Sequence, residues 1–292
     1  MTRVPFGARS SPFLLSATIQ HDLRFAEKDY PQTAALLASS FYVDDLVVSV
    51  DAPSDAVTLY EQTLSIFESA GMKVKKRLTN DNNLLQRMIK DGNTTVDSGQ
   101  NLTKKVLGLL WDHQADEFRC SPVSASEMPS HKNNKRHVLQ SASKIYDPFG
   151  QLGSFTITGK ILVQSVWEAG FDWEDPLPTD IESTWKEWCN GLSELSHVSI
   201  PRLIRSNNDK LPKWLYIFAD ASPKAYGAVA YVDVPARDAC SSPRFLLSKS
   251  RVAPLKRHAL PRLELMAAVL AARLSRFICE SPARTARLPV LD

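Results

Sequence analysis

The fold class of the chain's last third is decided by residues 214–234, WLYIFADASPKAYGAVAYVDV. Its first part, Trp214 to Phe218, is an aromatic, apolar run typical of a strand, and it leads directly into Asp220. The rest of this region predicts two more strands and an alanine-rich helix: Tyr226 to Val234, around Phe245 to Lys249, and Leu263 to Ile278. Strands followed by a helix predict an α/β layer packing rather than an all-β sandwich.

The preceding region, residues 126–212, is predicted to be mainly helical, because its apolar residues recur at helical spacing. One stripe contains Trp185 and Trp188, and Asp147-Pro148-Phe149-Gly150 interrupts the helices. Residues 201–213 hold two prolines and several polar residues, which is typical of a linker. The preferred interpretation is that this helical region packs as a structural unit and carries no catalytic residues.

The first 125 residues are predicted to combine strands with one clear helix. Two β-rich runs flank Asp44-Asp45 and predict a hairpin with these two residues in its turn. A helix is expected to begin at Pro53 and to end at Gly71. Two further elements are predicted downstream, a loop over residues 80–100 and one short strand from Lys105 to Trp111.

Composition limits the function classes. The 292 residues carry 35 basic and 32 acidic side chains, a balance too even to indicate nucleic acid by itself. The charge is uneven locally: residues 71–90 hold six basic residues and one acid, and residues 251–292 hold eight and three. Such basic segments suit a polyanion, although solvated surfaces are an equal alternative. The longest apolar run has eight residues, so no membrane partner is expected. Four widely spaced cysteines without a Cys-x-x-Cys pair indicate a reducing intracellular setting.

Asp44 and Asp45 are the first candidate site. Aspartate is common in turns, so a purely structural role is the simplest alternative. Two adjacent carboxylates also form an anionic patch of the kind that holds Mg²⁺ during phosphoryl transfer.

The segment Phe41-Tyr42-Val43-Asp44-Asp45 resembles the Tyr-x-Asp-Asp signature of reverse transcriptases. Three other segments resemble that family in the same order: Val4–Gly7 with Ser11–Phe13, Gly71–Lys73, and Leu107–Trp111. The resemblance implies that Asp44 and Asp45 are catalytic metal ligands and that an upstream segment carries a further aspartate. It also implies a set of nucleic-acid-binding or nucleotide-binding residues: Phe6, Gly7, Tyr42, Lys73 and Trp111.

The chain as a whole resembles polyproteins of the BEL/Pao class of LTR retrotransposons, through Ile145–Gly150 and Trp185–Trp188 among other segments. The implied architecture is a multidomain α+β and α/β chain. It consists of the C-terminal part of a reverse-transcriptase palm, a helical connecting region and a partial ribonuclease H-like mixed sheet with a helix: residues 1–125, 126–212 and 213–292. RNA, DNA and RNA–DNA hybrids are the implied partners, with Mg²⁺ or Mn²⁺ as cofactor.

Within the last region, Phe218–Ser222 resembles the first strand of ribonuclease H, which implies that Asp220 is a metal ligand. Glu264 on the following helix is the implied second ligand, and Asp292 is a candidate third. Glu264 stands among Leu263, Leu265 and Met266, and a carboxylate buried there unpaired would be costly, so a metal is expected beside it. A glutamate favoured by the helix dipole is the alternative.

Two alternative functions remain open. A non-catalytic remnant would keep only nucleic-acid binding through its basic segments. An aspartic peptidase would use Asp97 of Asp97-Ser98-Gly99, although this triplet stands in a polar loop sequence and occurs once. The six histidines lack zinc-ligand spacing.

Overall fold

The computed structural model describes residues 7–92, 103–120, 133–204, 214–234 and 242–280. It divides the chain into two compact units, Met1–Leu107 and Gly108–Asp292. Helices and small sheets occur in both units, so the predicted mixed α and β character is confirmed. No helix in these described ranges is both long and apolar enough to cross a membrane.

Four helices and three short strands make up the described part of the first unit: α1 (Ser11–Ala26), α2 (Pro31–Ser40), β1 (Phe41–Tyr42), β2 (Asp45–Leu46), α3 (Pro53–Ser69), α4 (Asn82–Lys90) and β3 (Thr103–Val106). The predicted helix is confirmed, and Gly71 follows it with a positive φ of 69°. Its core side chains, Ile66 and Phe67, pack with apolar residues of α1 and α2.

The loop predicted over residues 80–100 is wrong between Asn82 and Lys90, where the chain forms α4. Asp81 caps this helix by accepting a hydrogen bond from the Leu84 backbone N–H at 2.7 Å. Leu84 and Met88 then lie one turn apart and are buried against Tyr60 of α3. A short buried stripe is enough to fix a helix whose composition is mostly polar.

In the second unit the elements are β4 (Leu109–Asp112), β5 (Glu117–Arg119), α5 (Lys135–Lys144), α6 (Gly153–Glu168), α7 (Thr179–Gly191), a 3₁₀ helix (Ser193–His197), β6 (Ser199–Pro201), β7 (Leu215–Ala221), β8 (Ala225–Val234), β9 (Ser242–Val252) and α8 (Leu260–Glu280). The single strand predicted from Lys105 to Trp111 is wrong. Leu107 and Gly108 both have positive φ, so a turn separates β3 from β4.

The predicted helical region is confirmed as α5, α6 and α7, and the break at Asp147–Gly150 lies between α5 and α6. Trp185 and Trp188 are buried in its core and stack at 5.4 Å between ring centroids. Pro201, expected in a linker, instead ends β6, which pairs with β5. The remainder of that predicted linker, 205–213, lies outside the described residues.

The three strands and the helix predicted for the last region are confirmed. β8 pairs antiparallel with β7 on one side and with β9 on the other. Alternate residues of the sheet, such as Ile217 and Ala230, pack with Leu263 and Leu270 of α8 in one core. This gives one sheet face covered by a helix, as the α/β packing requires.

The helical region is attached to β9 through the break between α5 and α6. Ser248 donates its backbone N–H to the Phe149 carbonyl at 2.8 Å and its hydroxyl to the Gly150 carbonyl at 2.6 Å. Gln164 of α6 donates to the Ala253 carbonyl at 2.9 Å. These bonds cover the side of β9 that does not face β8, which would otherwise be an unpaired edge.

Candidate functional site

Asp220 lies one residue before the end of β7, opposite Gly227 of β8. Its side chain is exposed, and among the described residues it has no hydrogen-bond or ion-pair partner. Because side chains alternate along a strand, Asp220 lies on the face opposite to that of Ile217 and Ala221, which pack with the α8 core. Asp220 therefore stands beside Phe218, which is 60% exposed, on the face that α8 does not cover.

Glu264 lies in the second turn of α8 and is exposed. The expectation that it is buried among apolar neighbours is wrong. Successive helix residues are about 100° apart, so Leu263 enters the core while Leu265 is 64% exposed. Like Asp220, Glu264 has no side-chain partner in the described part of the chain. The cost of an unpaired buried carboxylate therefore gives no argument for a metal at Glu264.

The chain places these two carboxylates at the same end of the sheet. β9 is parallel in direction to β7, since both are antiparallel to β8, and so both strands end on the same side. Seven residues, 253–259, connect β9 to α8. The first of them, Ala253, packs in the same core as Leu263, so α8 begins at that end.

A second carboxylate of the sheet, which the sequence did not suggest, is Asp233. It is 7% exposed, and its Oδ1 atom is buried without a partner among the described residues. It does not join Asp220, because Asp220 is opposite Gly227 and Asp233 lies six residues further along β8. At about 3.4 Å per residue this separation is on the order of 20 Å.

The carboxylates described so far do not form a metal centre by themselves. Within the described ranges, no group of three or more His, Cys, Asp or Glu side chains is arranged to hold a metal ion. Oxygen donors are the correct type for Mg²⁺ or Mn²⁺, but Asp220 and Glu264 provide only two of them. Asp292, the candidate third ligand, lies outside the described residues.

In the first unit the hairpin around Asp44 is present, but its turn is shifted by one residue. Tyr42 pairs with Asp45, so Val43 and Asp44 form the turn and Asp45 belongs to β2. Val43 has a φ of 58°, a rare conformation for a β-branched residue. Phe41 and Leu46 anchor the hairpin in the core, whereas Tyr42, Asp44 and Asp45 are exposed.

The other implied substrate-binding residues have different surroundings. Gly7 is exposed with a φ of 83°, and Lys73 is exposed after α3. Trp111 takes part in a packed cluster: its Nε1–H donates to Asp116 at 3.1 Å, and the Arg202 guanidinium lies 5.7 Å from its ring centroid. Arg202 also binds Asp116 through two hydrogen bonds of 2.6 and 3.0 Å. These contacts pack Trp111 against neighbouring residues of the second unit, and its implied role in substrate binding stays a prediction.

Two predicted positions cannot be placed in this geometry. Phe6, an implied nucleotide contact, and Asp97 of the peptidase alternative both lie outside the described residues. The roles of Asp44, Asp45, Gly7, Tyr42 and Lys73 stay predictions, as do those of Asp220 and Glu264.

Charge is the feature that separates the sheet and helix from the rest of the second unit. The described residues of 214–280 carry nine basic and four acidic side chains. Four of the six arginines there have no side-chain partner in the described residues: Arg251, Arg257, Arg262 and Arg273. By contrast, the three described arginines of 108–204 are all in ion pairs: Arg119, Arg136 and Arg202.

The family described as Pao retrotransposon-like RNaseH-like domain matches residues 134–286. The match spans the helical region together with the three-stranded sheet and α8, which is more than half of the chain. The chain therefore belongs to this family, and a retrotransposon function on nucleic acids follows. No curated protein matches the chain. The division at residues 125 and 212 and the reverse-transcriptase palm stay predictions.

Proposed function

We propose that this chain is part of a retrotransposon Pol polyprotein and that its ribonuclease H-like region binds RNA–DNA hybrids and contributes to cleavage of the RNA strand. Asp220 and Glu264 are the proposed catalytic residues. The observation that carries the proposal is their common position at one end of the sheet, where both are exposed and unpaired in the described residues.

The absence of a partner is informative because cations are abundant nearby. An exposed carboxylate gains up to about 1 kcal/mol from an ion pair. Three exposed basic residues stand near the start of α8 in the sequence: Lys256, Arg257 and Arg262. Arg276 and Glu280 at the other end of α8 do form such a pair, at 2.8 Å. Asp220 and Glu264 thus keep their negative charge available for a ligand.

A divalent metal would supply charge neutralisation and a coordinated nucleophile in hydrolysis of a phosphodiester. The two described carboxylates do not fit a complete site for it, so no reaction step is assigned to a metal here. The proposal includes Asp292 as the third carboxylate.

The test is a cleavage assay on a labelled RNA–DNA hybrid with Mg²⁺ or Mn²⁺, using the full chain and, in parallel, the polyprotein. Asp220→Asn and Glu264→Gln should each lower cleavage by at least about a hundredfold. Glu280→Gln is the matched control, since it removes a glutamate from the opposite end of the same helix. Equal cleavage by all four proteins would contradict the assignment. Hybrid binding without any cleavage, in the chain and in the polyprotein, would favour the non-catalytic alternative.

We further propose that Asp44 and Asp45 belong to a reverse-transcriptase palm that is completed by an upstream segment. The supporting observation is the exposure of the hairpin tip above an anchored base, which leaves Tyr42, at 66% exposure, and both aspartates accessible. Primer extension by the polyprotein should be abolished by Asp44→Asn and retained in Asp51→Asn, which changes an exposed aspartate between β2 and α3. Extension unaffected by Asp44→Asn would refute this role.

A further inference from the structure

Four basic side chains gather at the end of the sheet where Asp220 and Glu264 lie, and we call them the basic end cluster: Lys224, Arg251, Lys256 and Arg257. All four are exposed, and none has a side-chain hydrogen bond or ion pair among the described residues. The cluster is therefore a concentration of positive charge that the described residues leave uncompensated.

Backbone contacts place the members of the cluster together. Lys224 is in the turn between β7 and β8, and its carbonyl accepts the Ala253 N–H at 2.9 Å. Arg251 lies opposite Tyr226 near the end of β9, two residues before Ala253. Lys256 and Arg257 follow in the seven-residue connection to α8. Three separate segments thus bring their cations to one end of the sheet.

Uncompensated like charges repel one another, so such a surface has no benefit for the isolated fold. Elsewhere in the second unit the chain does pair cations, because the described arginines of residues 108–204, Arg119, Arg136 and Arg202, are bound to carboxylates. Arg262 and Arg273 of α8 resemble the cluster, since they have no side-chain partner among the described residues. Phosphates of a nucleic-acid backbone are suited to this surface, since their charges repeat at short intervals and contacts to them need no fixed base sequence.

We propose that the basic end cluster contacts the phosphate backbone of a duplex and holds it across the end of the sheet beside Asp220 and Glu264. This inference rests on the proposed function, since it takes the RNA–DNA hybrid as the duplex. It assigns binding to four residues that the family resemblance did not single out. The two carboxylates are then next to the bound strand but are not responsible for its affinity.

The experiment measures binding of the full chain to a fluorescein-labelled RNA–DNA hybrid by anisotropy, with EDTA present and KCl varied from low to moderate concentration. Each lost phosphate contact lowers the slope of log K against log salt by about 0.9. Lys256→Gln/Arg257→Gln should therefore reduce the slope by about 1.8. The matched control is Arg273→Gln/Arg276→Gln, which removes the same charge from the last turns of α8 and should leave the slope nearly unchanged.

Three results would overturn the inference. Equal slope changes in the two double variants would show that only net charge matters. An unchanged slope in both would place the contacts elsewhere, and equal competition by polyglutamate of the same charge would indicate a general polyanion surface. Because binding is measured without metal, Asp220→Asn should bind the hybrid at least as tightly as the unchanged chain. Loss of cleavage with normal binding therefore tests the proposed function separately from the cluster.

Discussion

Replacing Gly150 by alanine should destabilise the second unit far more than the same change at Gly170. Both glycines have a φ of 74°, so both substitutions force alanine into the left-handed region, at roughly 1–2 kcal/mol. A Cβ on Gly170 would meet no atom within 4 Å, whereas a Cβ on Gly150 would lie 2.6 Å from Ser248 Oγ and closer still to the Ser248 carbonyl oxygen.

The additional loss at Gly150 can be worked out from the contact. Overpacking against a backbone carbonyl costs about 1–3 kcal/mol. Moving the two segments apart would also break the two Ser248 hydrogen bonds, each contributing about 1 kcal/mol. Gly150→Ala should therefore lower the free energy of unfolding by about 3–5 kcal/mol more than Gly170→Ala.

Tryptophan fluorescence during urea unfolding measures this difference, because all six tryptophans of the chain belong to the second unit. A companion variant distinguishes the collision with the Ser248 hydroxyl from the collision with the Ser248 carbonyl oxygen. A Cβ on Gly153 would lie 3.0 Å from Ser248 Oγ, so Ser248→Ala should relieve Gly153→Ala but not Gly150→Ala. Free energies of unfolding for Gly150→Ala and Gly170→Ala that agree within about 0.5 kcal/mol would refute the described attachment of the helical region to β9.

Three further predictions concern single residues. Burial raises the pKa of Asp147 above its ordinary value of 3.8, so its stabilising contribution is complete below that pH and is lost as the pH rises through the folded-state pKa. Asp147→Asn keeps an acceptor for the Leu152 N–H and should remove this part of the pH dependence of urea unfolding; an unchanged profile would contradict it. Partial burial raises the pKa of the Cys189 thiol to about 11, so iodoacetamide at pH 8 should label it much more slowly in the folded chain than in the unfolded chain, as peptide mass spectrometry would show. Equal labelling rates in the two states would contradict this prediction. Val43→Gly should raise the first unit's free energy of unfolding by up to about 1 kcal/mol, because glycine adopts a φ of 58° without strain, and hydrogen exchange of α3 would report it; a loss of stability would argue against this turn.

The sequence predicted the elements whose signals are local. Strands β7 and β8 could be predicted from their aromatic and β-branched residues, and helix α8 from its apolar stripe. Helix α4 was not predicted because its three buried residues, Leu84, Leu85 and Met88, are surrounded by asparagine, glutamine and basic residues. The polar composition indicated a loop, but burial of these three side chains is enough to stabilise a helix. The turn at Leu107 was missed for another reason: a leucine at positive φ contradicts the preference of its residue type.

The candidate site was predictable only in part. Asp220 and Glu264 could be selected by resemblance, but their exposure depends on which faces of β7 and α8 are covered, and this is a property of the assembled sheet. The exposure of Glu264 illustrates the limit, because its apolar sequence neighbours point in other directions around the helix. The pairing of Arg202 with Asp116 joins residues 86 apart, and nothing in either local sequence indicates it.

The attachment of Phe149 and Gly150 to Ser248 explains why one family covers both the helical region and the sheet. β9 would have an open edge on the side away from β8, and an open edge is prone to pair with other chains. The helical region satisfies the Ser248 N–H, and Gly150 allows the approach because any side chain there would collide with β9. Ser248 and Gly150 are 98 residues apart in the sequence, yet their close contact restricts which residue types either position tolerates. By covering β9, the helical region holds the strand whose end carries Arg251, and in this way it would support the proposed phosphate-binding cluster.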